Sequence, residues 1–385
     1  MTSSMSHVRA IVAMLALVLG ACAPKAAPQV ATPVSQPAPA ATAVAAASPE
    51  DAAWAKVVAA AKREGMVAIY GGGQFAGDAG RTTMEAFSSE YGIRIDLLLM
   101  AGRQAVERIK IESKMKQPIG DIAGMGVNSV TELSLAGLLD SIWQELPELR
   151  NRAVFKIDPL YSPNGDVLNM SFSSAGILIN TKWVKAQDEP KSFFDLLDPK
   201  WKGKMIIGDP RGGGGGGFSW FSHMRYYKVL DDDYFRRFAR QEPMLWGGST
   251  IEEASMVARG EKWLDPFIMY ANVGPLILEG APLKLLSTTE GSYVSNDDIG
   301  MVKGAPHPNA AKLFINWLFS REGQNVFARA AASVDSMRKD VPDYVDSRVK
   351  PQPEPHRYLI RTYEVAEIAN QYQKEGIAES IFGKK

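Results

Sequence analysis

Residues 66–99 read MVAIYGGGQFAGDAGRTTMEAFSSEYGIRIDLLL, and this stretch decides the fold class. Residues 66–70 are a short apolar run bounded by glycines, the pattern of a buried strand. A helical stretch from about Thr82 to Tyr91 stops at Gly92, and residues 93–99 form a second apolar run. Strand, helix and strand joined by short loops make a parallel βαβ unit. Upstream, Ser48-Pro49-Glu50-Asp51 supplies a cap, a first-turn proline and acids that complement a helix dipole. That helix carries Trp54, Val57, Val58 and Ala61 and stops at Gly65. Downstream, Ala101-Gly102-Arg103-Gln104 opens a third helix, Ile122-Ala123 is a third strand, and Asn128-Ser129 starts a fourth helix. Such sheets bind ligands beyond the carboxyl ends of their strands, which points to the loops at 71–75, 101–104 and 125–129.

From Val167 to Asn180 the chain reads as one long extended segment, as a crossover between two lobes would. A second α/β region follows, with a strand at 204–207, a glycine run at 212–217 and helices near 220–228, 233–240 and 251–259. Residues 266–270 read as a strand returning to the first lobe. Residues 308–319 place Ala311, Phe314, Trp317 and Leu318 on one face of an amphipathic helix.

The first residues address the compartment. Arg9 precedes an apolar run, Ala10 to Leu19, that is too short to span a bilayer and fits a secretory signal over residues 1–21. It ends in Leu19-Gly20-Ala21-Cys22, which resembles a lipobox. That resemblance implies cleavage before Cys22 and a lipid on its sulfur, holding the protein to the membrane on the periplasmic or extracellular face. Cys22 is the sole cysteine, so no internal disulfide forms. Residues 22–49, rich in alanine and proline, read as a flexible, disordered tether. The 43 basic and 43 acidic residues balance, which argues against a nucleic-acid partner.

Four segments resemble the bacterial extracellular solute-binding proteins related to ferric-ion-binding proteins. They are Asp121-Ile122-Ala123 through Leu135-Ala136-Gly137-Leu138-Leu139; Asp198-Pro199-Lys200-Trp201-Lys202-Gly203-Lys204 with Asp209-Pro210; His307-Pro308-Asn309-Ala310-Ala311-Lys312-Leu313-Phe314; and Ser320-Arg321-Glu322-Gly323-Gln324. The resemblance covers roughly residues 52–335. It implies an α/β, two-lobed periplasmic-binding-protein-like fold of type II, each lobe a mainly parallel sheet flanked by helices, joined by extended crossovers. Lobe 1 is expected over 50–170 and 272–335, and lobe 2 over 171–271 and 336–385. Hinges are expected at 171–174 and 270–273. The implied function is capture of a small-molecule ligand by a monomer, for an ABC permease and its ATPase.

The resemblance leaves the ligand open among ferric ion, phosphorylated or phosphonate compounds, polyamines and other organics. Ferric-binding members present a tyrosine pair where this chain has Tyr270 alone, and a carboxylate where it has Met125-Gly126. No metal site and no cofactor are therefore expected. Arg103 and Arg211, one in a loop of each lobe, are expected to clasp an anion with their planar forks. Gly213, within the six-glycine run, offers backbone donors at a helix start, with Ser219 beyond it. Gln74, Asn128, Ser129, Ser249 and Thr250 stand where loops place donors, and Trp246, Tyr270 and Tyr293 are candidate walls. Glu252-Glu253 and Asp297-Asp298 read as solvated faces or as attractors for a cation such as a polyamine.

An enzyme finds little support, since no nucleophile triad stands out and the histidines lack metal-ligand spacing; a carboxylate-based hydrolase stays open. A sensor presenting its ligand to a membrane kinase would use the same capture step. For the anchor, Cys22→Ser is expected to abolish lipidation and cleavage at that site. Radiolabelled palmitate incorporation and membrane fractionation check this, and unchanged processing would contradict it.

Overall fold

The first turn of the folded part is held by its own side chains. Ser48 Oγ accepts from the Asp51 amide at 3.1 Å and the Asp51 carboxylate accepts from the Ser48 amide at 3.3 Å. This reciprocal cap opens helix α1 (Pro49–Glu64), which ends at Gly65 in the left-handed region, φ 70°. The computed structural model describes residues 48–160, 162–212 and 215–384. The signal segment, residues 22–47 of the expected tether with Cys22, and Gly213 lie outside the described residues, whereas Ser48 and Pro49, expected in the tether, open α1.

Strand β1 (Met66–Gly71), helix α2 (Gly77–Tyr91), β2 (Arg94–Leu99), α3 (Gly102–Met115), β3 (Ile122–Gly126) and α4 (Val127–Leu135) follow as the sequence leads one to expect. β1 lies parallel between β2 and β3. The short β4 (Leu139–Asp140) leads through turns to β5 (Leu168–Asn180), the long crossover. The second region holds β6 (Ile206–Gly208), α5 (Gly215–Tyr226), α6 (Asp232–Ala239), β7 (Met244–Trp246), α7 (Thr250–Arg259), β8 (Leu264–Met269), α8 (Tyr270–Leu278) and β9 (Leu283–Leu286). The chain then returns along β10 (Ser292–Val302) to α9 (Pro308–Phe319), α10 (Arg321–Ala331) and β11 (Asp335–Ser336). It closes with β12 (Tyr358–Ile360), α11 (Tyr363–Lys374) and α12 (Ile377–Phe382).

The core divides at the middle of β5. Leu168 and Met170 pack with Ile69, Phe87, Ile122, Phe314 and Trp317, whereas Ala175, Ile177 and Ile179 pack with Trp201, Trp220, Phe235 and Phe238. Two lobes therefore share one strand. Both sheets are parallel among their outer strands, β1 with β2 and β6 with β7. β5 runs antiparallel to β10 in the first half and to β8 and β9 in the second, and β10 runs antiparallel to β3; β6 and β7 form a separate two-stranded sheet.

One expected hinge is corrected. Residues 270–273 are the first turn of α8, and Val273 packs with Leu178, Ile206 and Leu285 in the second lobe. The return crossing comes later, at β10, whose polar Ser295-Asn296-Asp297-Asp298 core has low intrinsic strand preference and forms a strand through its pairing with β5.

The sequence blocks that resemble those of solute-binding proteins do structural work. Asp121 is fully buried and accepts from the Ala68 amide at 2.7 Å and the His307 amide at 2.6 Å, tying β3 to β1 and to the start of α9. Trp201 is buried with its indole N–H on the Asp195 carbonyl at 3.0 Å. Gln324 is fully buried; its amide donates to the Met170 and Leu318 carbonyls, and its oxygen accepts from Ser336 Oγ and the Met337 amide. Replacing Gln324 with leucine leaves several buried groups unpartnered at once. Gln324→Leu is expected to cost about 3 kcal/mol or more. In urea the midpoint should fall at unchanged slope, and an unshifted midpoint would refute this role.

Candidate functional site

Four helices of both lobes begin at the same place. Ala101 and Gly102 at α3, Gly126 to Ser129 at α4, Gly216 and Ser219 at α5, and Met269 and Asn272 at α8 line one cavity of about 420 Å³. Thr250, the first residue of α7, joins them. The starts of α3 and α4 have no side-chain cap, so their first-turn amides keep donors to offer; at α8, also without an N-cap side chain, Ser173 Oγ accepts from the Ala271 amide at 3.4 Å. Each start also carries the positive end of a helix dipole. Glycine makes the convergence sterically possible. A Cβ at residue 102 would stand 2.2 Å from Ser129 Oγ, and one at residue 217 would stand 1.6 Å from the Gly208 carbonyl oxygen. Gly217 thus seats α5 against β6, and Gly216 reaches the cavity.

The opposite wall is β10 with the segment that pairs to it. Tyr293, Ser295, Asn296 and Asp297 line the cavity, and Arg361 joins them from beyond β12. β12 runs parallel to the start of β10, and the Arg361 amide donates to the Val294 carbonyl at 3.0 Å. The Arg361 carbonyl accepts from Asn296 Nδ2 at 3.2 Å. Its guanidinium, only 3% exposed, donates to Asn128 Oδ1 at the start of α4. A cation is thereby held at the meeting point of both lobes.

Three titratable groups respond to this setting. Burial pushes the Asp297 carboxyl up to about 6, against a hydrogen bond from Ser171 Oγ at 3.2 Å. Burial also raises Asp298 well above the usual carboxylate range; the Arg361 charge opposes the shift and Asp297 adds to it. His223, fully buried, is held neutral by burial and by Arg361. Its ring stands nearly perpendicular to Tyr293 at 4.6 Å between centroids, and Nδ1 donates to the Ser219 carbonyl at 2.6 Å. Asp297-Asp298 is therefore not a solvated acidic face. Glu253 is likewise buried, and Glu252 serves the cap of α7.

Of the residues chosen from sequence, Asn128, Ser129, Ser219, Thr250 and Tyr293 come together here. Gln74 instead borders an adjoining cavity of about 270 Å³ with Phe327 and Ala331. The arginine clasp does not form. Arg103 is exposed on the first turn of α3, away from the lining. Arg211 grips Asp209 at 2.8 and 2.9 Å and the Gly383 and Lys384 carbonyls at 3.1 and 3.2 Å, because a carboxylate two residues away satisfies its fork first. Trp246 donates to Glu252 at 3.3 Å, and Ser249 caps α7; neither lines the cavity. Tyr270 is buried with its hydroxyl on Asp335 at 2.7 Å. Among the described residues no three histidine, cysteine or acidic side chains are grouped to hold a metal.

Sequence reading missed Arg361, Asn272, Asn296 and the role of Asp297. The available signal was the apolar run Tyr358-Leu359-Ile360 just before Arg361, a short edge strand whose partner is distant in sequence. Asp297 also yields a pH dependence. Its folded pKa lies near 6 against an ordinary 3.8, so the native state takes up this proton first. The ionised group opposes folding above about pH 6, and that opposition fades as pH falls toward 4. Without ligand, Asp297→Asn should raise the melting temperature more at about pH 7 than at about pH 4.5. Scanning calorimetry checks this, and equal gains at both values would refute it.

The bacterial extracellular solute-binding protein family matches residues 125–357, more than half of the chain. Solved structures share the fold. IdiA (FutA) of Trichodesmium, in complex with iron and citrate, is 20% identical at a TM-score of 0.67 over 83% of this chain and 100% of that one. Iron-bound HitA of Pseudomonas aeruginosa is 20% identical at 0.64, over 80% and 98%. The periplasmic binding protein AfuA of Actinobacillus pleuropneumoniae, with fructose-6-phosphate bound, is 18% identical at 0.63, over 82% and 97%. With a cavity between two lobes that share crossing strands, and a family match over its larger part, this chain belongs to the bacterial extracellular solute-binding proteins.

Proposed function

We propose that this protein captures an anionic organic solute in the cavity between its lobes and delivers it to an ABC-type importer, tethered to the membrane through Cys22. One observation carries the reading: the buried Arg361 and several uncapped helix starts meet on a single cavity of about 420 Å³. Backbone amides at helix starts favour negative charge, and a fixed guanidinium supplies a directional, charge-assisted donor. The whole chain carries no net charge, so any anion preference arises from this local placement. The sugar phosphate bound by AfuA is a precedent of matching charge. The iron bound by HitA is a weaker one, because the Tyr270 hydroxyl is engaged by Asp335.

Binding requires the lobes to close, and β5 and β10 are the segments that bend. A thermal-shift screen of carboxylates, phosphates, phosphonates, polyamines and ferric citrate tests the class, followed by titration of Arg361 variants. Anions should stabilise the protein and compact it in X-ray scattering. A charge-assisted hydrogen bond contributes about 1.5–3 kcal/mol, so Arg361→Met should weaken binding roughly tenfold to a hundredfold. Arg361→Lys should recover only part, since the fork is lost. Stabilisation by polyamines or iron alone would overturn the reading.

A further inference from the structure

The wall formed by β10 is chemically unlike the rest of the cavity. Helix starts offer donors, as does Arg361 beside β10, whereas β10 itself offers acceptors. Asn296 donates its amide N–H to the Arg361 carbonyl, which fixes the amide and leaves its buried Oδ1 with no partner among the described residues. Asp297 receives Ser171 Oγ on Oδ2 and accepts nothing from the described residues on Oδ1. The buried Tyr293 hydroxyl oxygen also lacks a partner among them.

The ladder beside this wall is irregular. β10 pairs Asp297 with Ser171 but Asp298 with Asn169, so the register slips by one residue, with Met170 the extra one. The extra residue lies on β5, just past the Asp297–Ser171 pair, and Asn296 and Asp297 both pair in register before it. Asn296 and Asp297 both line the cavity.

A ligand that is only an anion would set its own acceptors against this wall, with the Asp297 carboxylate repelling it. A donor on the ligand removes the conflict. We infer that the solute is a hydroxylated organic anion, and that Asp297 reads it by accepting a hydrogen bond from an alcohol hydroxyl while the anionic group faces Arg361 and the helix starts. An ammonium donor is disfavoured because Arg361 and the helix dipoles occupy the same 420 Å³ and would repel it. A hydroxyl brings the hydrogen without the charge. This inference rests on the anion reading above and goes beyond it by naming the second functional group.

The test is calorimetric titration with matched probes: glycerol 3-phosphate against propyl phosphate, gluconate against hexanoate, and 2-aminoethyl phosphate as the ammonium arm. The hydroxylated member of at least one pair should bind about tenfold or more tighter than its partner, the scale of one hydrogen bond to a charged group. Asp297→Ala should shrink that ratio to about threefold or less. Asp297→Asn, which keeps one acceptor oxygen and replaces the other with an NH2 group, should give an intermediate ratio and decides the matter should the alanine variant fail to fold. Equal binding within both pairs overturns this inference and leaves the anion reading standing. A hydroxyl preference unchanged in both variants also overturns it, since Asp297 would not be the reader. An Asp297-dependent preference for 2-aminoethyl phosphate over glycerol 3-phosphate overturns it in favour of an ammonium. Failure of every anionic probe on folded protein removes the anion reading itself, and this inference with it.

Discussion

The antiparallel ladder between β5 and β10 is the constraint on which the rest of the molecule depends. β5 gives its first half to β10 and β11 and its second half to β8 and β9. Backbone groups committed to such a ladder cannot leave it without being stranded, so the two lobes cannot separate at this seam. The lobes can only flex about it. Everything that lines the cavity is placed relative to these two strands, including β3, which pairs with β10 on its far side.

The seam also concentrates the ionisable groups that the core would otherwise reject. Arg361, Asp298 and His223 are all buried there. A buried charge is tolerated when charges or dipoles compensate it, and removing one partner from such a set costs more than the set contributes. Arg361 meets that condition by addressing Asn128 in one lobe while its backbone is pinned to β10. Fixed dipoles and a fixed cation need no reorganisation when a solute arrives, which makes the cavity preorganised on its donor side.

The residues that carry the sequence resemblance and are buried in the frame are not those that face the cavity. Asp121, Trp201 and Gln324 are buried and hydrogen-bonded within the frame, joining β3, α9, α10 and β5. Such residues preserve lobe geometry whatever is bound. That division agrees with structural neighbours that share the fold while holding iron in one instance and a sugar phosphate in another. Fold and ligand are written in different residues, so a match on the first says little of the second.

What the sequence by itself determined was local. The Ser48 cap and Gly65 stop, the β1–α2–β2 unit, the extended β5 and the helix at Pro308–Phe319 all declare themselves through periodicity and end signals within a few residues. The cavity residues on helix starts, Asn128, Ser129, Ser219 and Thr250, were legible for the same reason, since they flank those local elements. Tertiary structure decided the remainder. β10 is a strand because β5 and β3 lie on either side of it, and its own polar sequence does not announce one. Arg361 reaches the cavity because β12 pairs with a strand far away in sequence, while Arg211, which looked better placed, is taken by Asp209 two residues away. Periodicity reports which face of an element is apolar; it carries no information on which distant strand will supply the partner, and this site is built from such pairings.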